Sequence, residues 1–242
     1  KKQAAMGIPM YLFLIVYVVL TTMVPVLVHH RIHGVINVTH IALSFFLGLN
    51  FIVCLWEITL GKEISFIEKK HLVYKEKFKG RALHVALDFF NLDVNLGNVF
   101  STKLWAEVWA CYSVFDSSYA NRQSFGFFID VGNGYSTLLP TLIFVCGMTF
   151  HGSNISDSNI LFIFPISARN LGLIGMISFY QEFYGTCVYF LSFFMNKRHK
   201  ALSLVEILIF VCFTNGLWFF LPLMGMKASY DMIQTDSYQV FL

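Results

Sequence analysis

Between Glu206 and Lys227 the chain holds about one bilayer's worth of helix, broken in its apolar run at Asn215, Trp218 and Pro222. About 20 apolar residues cross a hydrocarbon core, and in that solvent each backbone polar group must find its partner within the protein. Positions 215, 218 and 222 fall at i, i+3 and i+7, on one face of a helix. An amide in mid-membrane is costly unless it meets protein or a ligand. This face is therefore predicted to point inward.

Four further runs read the same way, at 8–28, 38–60, 124–150 and 171–195. Of the 242 residues, 57% are hydrophobic and 13% charged, where soluble domains carry about 25% charged. The predicted fold class is all-α, a polytopic membrane bundle of five transmembrane helices with a long interfacial loop between the second and third. Residues 1–37 form an extra span and turn, 38–227 a four-helix membrane domain, and 228–242 a polar tail. The first residue is Lys1, not Met, so an upstream segment is expected to be missing or removed. No nucleic-acid partner is expected, and no cofactor.

Three other spans carry matching stripes. Asn50, Cys54 and Glu57 repeat at i, i+4 and i+7; Asp130, Asn133 and Thr137 at i, i+3 and i+7; Glu182, Gly185 and Tyr189 likewise. Gly126, Gly132, Gly134 and Gly147 allow close helix approach in the third span. Four spans thus contribute acids, amides and aromatics to one interior. Such a lining suits a flat, mostly hydrocarbon ligand with one polar or cationic group. The alternative is that these groups only bond helix to helix.

The segment 61–120 begins basic and amphipathic, Glu68-Lys69-Lys70 to Lys79-Gly80-Arg81, and its second part, 82–108, mixes Leu, Phe and Asn with Asp88 and Asp93, which suggests a helix lying on or dipping into the interface. The five cysteines stand singly in apolar sequence and are read as buried hydrophobes. The turn His29-His30-Arg31-Ile32-His33-Gly34 invites a metal, but no carboxylate or cysteine stands nearby in sequence; it is read as an interfacial turn, and no metal site is assigned. Five spans place on one side Lys1, Lys2, nine basic residues around the long loop and three in the last turn, against Arg31, Arg169 and Lys227 on the other. By the positive-inside rule the N-terminus and long loop face cytosol, matrix or stroma. The sequons Asn37-Val38-Thr39 and Asn154-Ile155-Ser156 fall opposite.

Three segments carry a resemblance. Tyr112-Ser113-Val114-Phe115-Asp116-Ser117-Ser118-Tyr119 resembles the YxxxDSRY-type signature of the emopamil-binding (EXPERA-domain) proteins. Glu182 to Phe190 resembles their QxYGxxxYF segment, and Asn215 to Pro222 their NxLWxxxP segment. The resemblance spans about residues 41–226. That family includes the sterol double-bond isomerase and the sigma-two receptor. The resemblance implies an acid that protonates a ring alkene, aromatic and amide groups that stabilise the cation, and a base.

On this pattern Glu57 and Asp130 match the acids. The His expected four residues before Glu57 is Val53, Asp130 is one methylene short of the expected Glu, Ser118 replaces an Arg, and Glu182 stands for Gln. Val53 moves no proton, and catalytic geometry tolerates little displacement. The expectation is a sterol-like or other lipid ligand held without efficient catalysis. Glu57, Asp130, Asn50, Glu182, Tyr184, Tyr189, Asn215 and Trp218 would line the site, and Tyr112, Asp116 and Tyr119 would shape its mouth. Two alternatives stay open: an accessory subunit of a large organellar membrane complex, with other membrane subunits as partners, and an active isomerase. The resemblance implies the endoplasmic reticulum, whereas the charge bias fits an organelle inner membrane.

Overall fold

The computed structural model describes residues 7–79, 81–152 and 166–242. Lys1, Lys2, the Asn154 sequon and most of the short apolar piece at 160–166 lie outside them. The described chain is all-α apart from one pair of two-residue strands. In order it forms β1 (Ile8–Pro9), α1 (Met10–His33), α2 (Val38–Lys62), α3 (Ile64–Lys77), α4 (Leu83–Phe90), β2 (Asp93–Val94), α5 (Thr102–Phe115), α6 (Phe125–Phe150), α7 (Ala168–Met195), α8 (Leu204–Glu206) and α9 (Thr214–Thr235). A π-helical stretch, Ile207–Phe213, joins α8 to α9, and short 3₁₀ turns follow α5 and α7.

Among the described residues, four helices are long and apolar enough to cross a membrane: α1, α2, α6 and the continuous run Leu204–Thr235. These mark a membrane protein. At 28 residues α7 has the length, but Gln181, Glu182 and three tyrosines dilute its apolar character, and it is not among the four.

The chain divides into two compact units. The first comprises Lys1–Tyr17, Val53–Tyr135 and Cys187–Asn215. Here the stretch read as a long interfacial loop carrying a helix holds three helices and a strand. Tertiary packing decides this, because the segment's own apolar signal is weak: α3 alternates Glu and Lys along one face yet buries Ile64, Ile67 and His71 on the other. Residues Ile64 and Ile67 join Leu60, Ala106, Trp109, Tyr119, Phe127 and Phe193 in one apolar core. A second core gathers Met10, Phe78, Val85, Phe89, Val94 and Phe115. β1 pairs antiparallel with β2, Ile8 opposite Val94, and the Met10 amide extends the ladder to the Leu92 carbonyl at 2.8 Å.

The second unit comprises Val18–Ile52, Ser136–Thr186 and Gly216–Leu242. Its core holds Leu43, Phe46, Leu47, Phe144, Met148, Leu171, Phe179, Met232 and Phe241. Each such side chain contributes about 1.5–3 kcal/mol on burial. The tail expected to be merely polar is part of this core. α9 continues to Thr235, and Phe241 in the last 3₁₀ turn is fully buried. Asn37 caps α2, its Oδ1 accepting from the His40 amide at 3.0 Å, and its Nδ2 donates to the Val240 carbonyl at 3.2 Å. That bonding gives the Asn37 sequon an internal structural use.

The glycine expectation holds at three of four positions. A Cβ on Gly126 would meet Ser118 Oγ at 2.7 Å, on Gly134 the Glu57 Cβ at 2.7 Å, and on Gly147 the Leu171 side chain at 2.7 Å, whereas Gly132 faces open space. α1 is apolar all round and almost uncovered, with Ile15, Leu20 and Leu27 each more than half exposed.

Candidate functional site

Much of the predicted stripes is buried, although Asp130, Asn215 and Trp218 are only half-buried. Asn50, Cys54 and Glu57 are 2%, 0% and 6% exposed, and Glu182 and Tyr189 each 2%. Two hydrogen-bonded clusters result, one in each unit.

In the second unit Asn50 on α2 gathers three other helices. Its Nδ2 donates to Thr141 Oγ1 on α6 at 3.0 Å and to Glu182 Oε1 on α7 at 2.7 Å. Its Oδ1 accepts from the Trp218 indole on α9 at 2.8 Å. The amide thereby uses both N–H groups and its carbonyl. The Trp218 ring also packs edge-on to Phe46, with centroids 6.0 Å apart. The second carboxyl oxygen of Glu182, Oε2, is buried and has no hydrogen-bond partner. A buried acceptor left unmade costs about 1–3 kcal/mol, more when charged. It is an unpaired carboxyl oxygen whose neighbour Oε1 is held by the Asn50 amide.

In the first unit the cluster is built on Asp116, at the C-terminal end of α5. Asp116 is fully buried; its Oδ1 accepts from the Ser118 amide at 2.9 Å and pairs with Arg198 Nη1 at 3.2 Å, and its Oδ2 accepts from the Tyr189 hydroxyl at 2.9 Å. The Arg198 guanidinium also lies over the Phe193 ring at 5.5 Å. The Tyr112 and Tyr189 hydroxyls stand 3.4 Å apart, and Asn215 Nδ2 donates to Tyr112 Oη at 3.1 Å. The Tyr119 ring stacks on Trp109 at 5.0 Å and meets Tyr112 edge-on, and its hydroxyl bonds Asp130. Burial pushes the Tyr112 phenol up to about 12 and Tyr119 well above its ordinary range, so both remain hydroxyls. Arg198 neutralises Asp116. Both carboxyl oxygens of Asp116 are engaged, whereas Ser118 Oγ and Arg198 Nε are buried without a partner, and the cluster joins α5, α7 and the start of α9.

Among the other sequence candidates, Glu57 is buried in the first unit against Gly134. Asn215 belongs to the first unit and Trp218 to the second, although they share one stripe. Tyr184 stands apart: it is 53% exposed and stacks on Tyr180.

A third cluster was read in sequence as a plain turn. His29 and His33, one turn apart on α1, meet His151 just beyond α6, and one ring nitrogen from each lies within 4.8 Å of the others. The rings of His29 and His33 have centroids 4.5 Å apart, those of His33 and His151 4.2 Å. His151 donates from Nδ1 to the Met148 carbonyl at 2.9 Å, and burial pushes its ring down to about 4, so the ring is neutral. The third histidine lies 118 positions beyond His33, which local spacing does not reveal. The only sequence signal was the His-x-x-x-His pair itself.

Compared with known proteins, the chain matches no family model, no curated protein and no solved structure.

Proposed function

We propose that the chain is an integral membrane protein that binds a sterol-like or other lipid ligand bearing one polar or cationic group, without efficient isomerase activity. The observation that carries this reading is Glu182. Its Oε2 is buried without a donor, while Oε1 is held by the Asn50 amide, which in turn holds the Trp218 indole. A ligand hydroxyl or ammonium would supply that donor, and the indole face suits a cation or a flat ring. In this reading α7 is the fourth of five spans despite its polar centre, because Glu182 is buried within protein. The basic helix α3 and its neighbours then lie at the interface, on the cytosolic, matrix or stromal side. The emopamil-binding resemblance of the segments at 112–119, 182–190 and 215–222 agrees. Val53 argues against catalysis, as does an Asp116 already committed to Arg198.

The test is binding of a cationic amphiphile to the detergent-purified protein. Glu182→Gln should weaken it at least tenfold, with Gln181→Ala as the control. Equal affinity in both would remove Glu182 from the reading. Conversion of a sterol substrate in an isomerase-deficient cell would restore the isomerase alternative.

A second reading, an accessory subunit of an organellar membrane complex, is favoured by the uncovered apolar surface of α1. Purification in gentle detergent followed by native mass analysis separates the two. A small species with one bound lipid supports the binding reading, and migration within a large assembly supports the subunit reading.

A further inference from the structure

We infer that His29, His33 and His151 form a three-histidine site for a transition-metal cation, with zinc the best fit. Three features beyond proximity point there.

First, two ring nitrogens are idle. His29 Nε2 and His151 Nε2 are both buried without a hydrogen-bond partner. Leaving two such acceptors unmade in one cluster is costly, and a cation that accepts both lone pairs removes that cost.

Second, the opposite edge of each ring is already held by backbone. His151 Nδ1 donates to the Met148 carbonyl, His33 Nε2 faces the Thr149 carbonyl at 3.4 Å, and the His29 ring bonds the backbone of Val35. Ligating histidines almost always donate their other ring N–H in this way, which fixes tautomer and orientation. His40 is different. Its ring stacks on His29 at 4.0 Å, but its nitrogens are engaged by Thr149 Oγ1 and Ser44 Oγ. It therefore positions His29 and is not a ligand.

Third, the local field favours a cation. His29 and His33 lie in the last turns of α1, and His151 follows the end of α6. Helix C-termini carry partial negative charge, roughly half an elementary charge each.

Zinc takes imidazole nitrogens at about 2.0–2.1 Å in tetrahedral geometry, which sets ligand nitrogens about 3.4 Å apart. The three nitrogens here lie within 4.8 Å of one another, so closing on the ion draws them together by at most about 1.4 Å. Three neutral donors leave a fourth position for water or an anion, the open arrangement of a three-histidine site. His33 is only part-buried, which gives that position an entry path.

The experiment uses the full chain in detergent, stripped with chelator and titrated with Co²⁺, whose tetrahedral complexes absorb in the visible. One equivalent of cobalt should give that band, and one equivalent of Zn²⁺ should abolish it. His151→Ala and His33→Ala should each weaken binding at least tenfold, while His30→Ala, exposed on the same turn, should leave it unchanged. If His151→Ala unfolds by circular dichroism, the part-buried His33→Ala decides. A missing band, or one that survives both substitutions or depends on His30, overturns the site.

Discussion

Asn50 Nδ2 donates to Glu182 Oε1 at 2.7 Å, joining side chains 132 positions apart on two helices. The same amide holds Thr141 and Trp218. Through Asn50, α2, α6, α7 and α9 share polar contacts in the second unit.

Removing that hub strands its partners. Asn50→Leu leaves the Trp218 N–H and Glu182 Oε1 inside the protein without these bonds, at about 1–3 kcal/mol per stranded group. The neighbouring Gln181–Ser136 bond is exposed, so Gln181→Ala should cost under about 0.5 kcal/mol. Denaturant unfolding in detergent measures both. Equal effects would mean the hub contributes no more than a surface contact.

Arg198 and Asp116 form a buried ion pair, 15% and 0% exposed at the side chain. Breaking such a pair from one side costs about 3–5 kcal/mol, because the surviving charge is uncompensated. Arg198→Met alone should therefore destabilise strongly. Arg198→Met with Asp116→Asn should recover most of the loss, because the neutral amide no longer needs a counter-ion. A double variant as unstable as the single would show that Arg198 acts through packing on Tyr189 and Phe193.

Apolar run length and the repeat of polar residues at i, i+3, i+4 and i+7 made the long helices and their inward faces legible. Asn50, Glu182 and Trp218 could be grouped that way because each interrupts hydrocarbon. The helices α3 to α5 could not, since their burial depends on partners such as Met10, Phe127 and Phe193 far along the chain. Nor could the pairing of Arg198 with Asp116 or of His151 with His33. A stripe identifies a face but not its partner, and Asn215 and Trp218, on one stripe, join different clusters.

Gly134 and Gly132 lie on the same helix with opposite surroundings. A methyl at Gly134 would stand 2.7 Å from the Glu57 Cβ, 2.8 Å from the Cys54 carbonyl and 2.9 Å from the Ile58 amide, so backbone would have to move. Overpacking of this kind costs about 1–3 kcal/mol. A methyl at Gly132 would meet no atom within 4 Å, and alanine in a helix interior gains about 0.5–1 kcal/mol over glycine. Gly134→Ala should lower the melting temperature and Gly132→Ala should hold or raise it. The reverse order would contradict the α2–α6 approach described here.

His71 on α3 gives the fold an acid limb. Its Nδ1 bonds Ser113 Oγ at 3.0 Å, and that hydroxyl in turn donates to the Ala110 carbonyl at 2.8 Å, so the ring supplies the N–H. Burial, then the nearby Lys75 charge, hold its pKa below the ordinary 6.5. The unfolded chain then binds a proton that the folded chain refuses. Stability from this group is fully present above about 6.5 and is lost as pH falls from there through the lowered folded value. His71→Gln keeps an amide donor for Ser113 and removes the titration. The difference in unfolding free energy between the two proteins should change with pH only below about 6.5, in the direction that favours the variant in acid. A difference independent of pH would place the His71 ring in water.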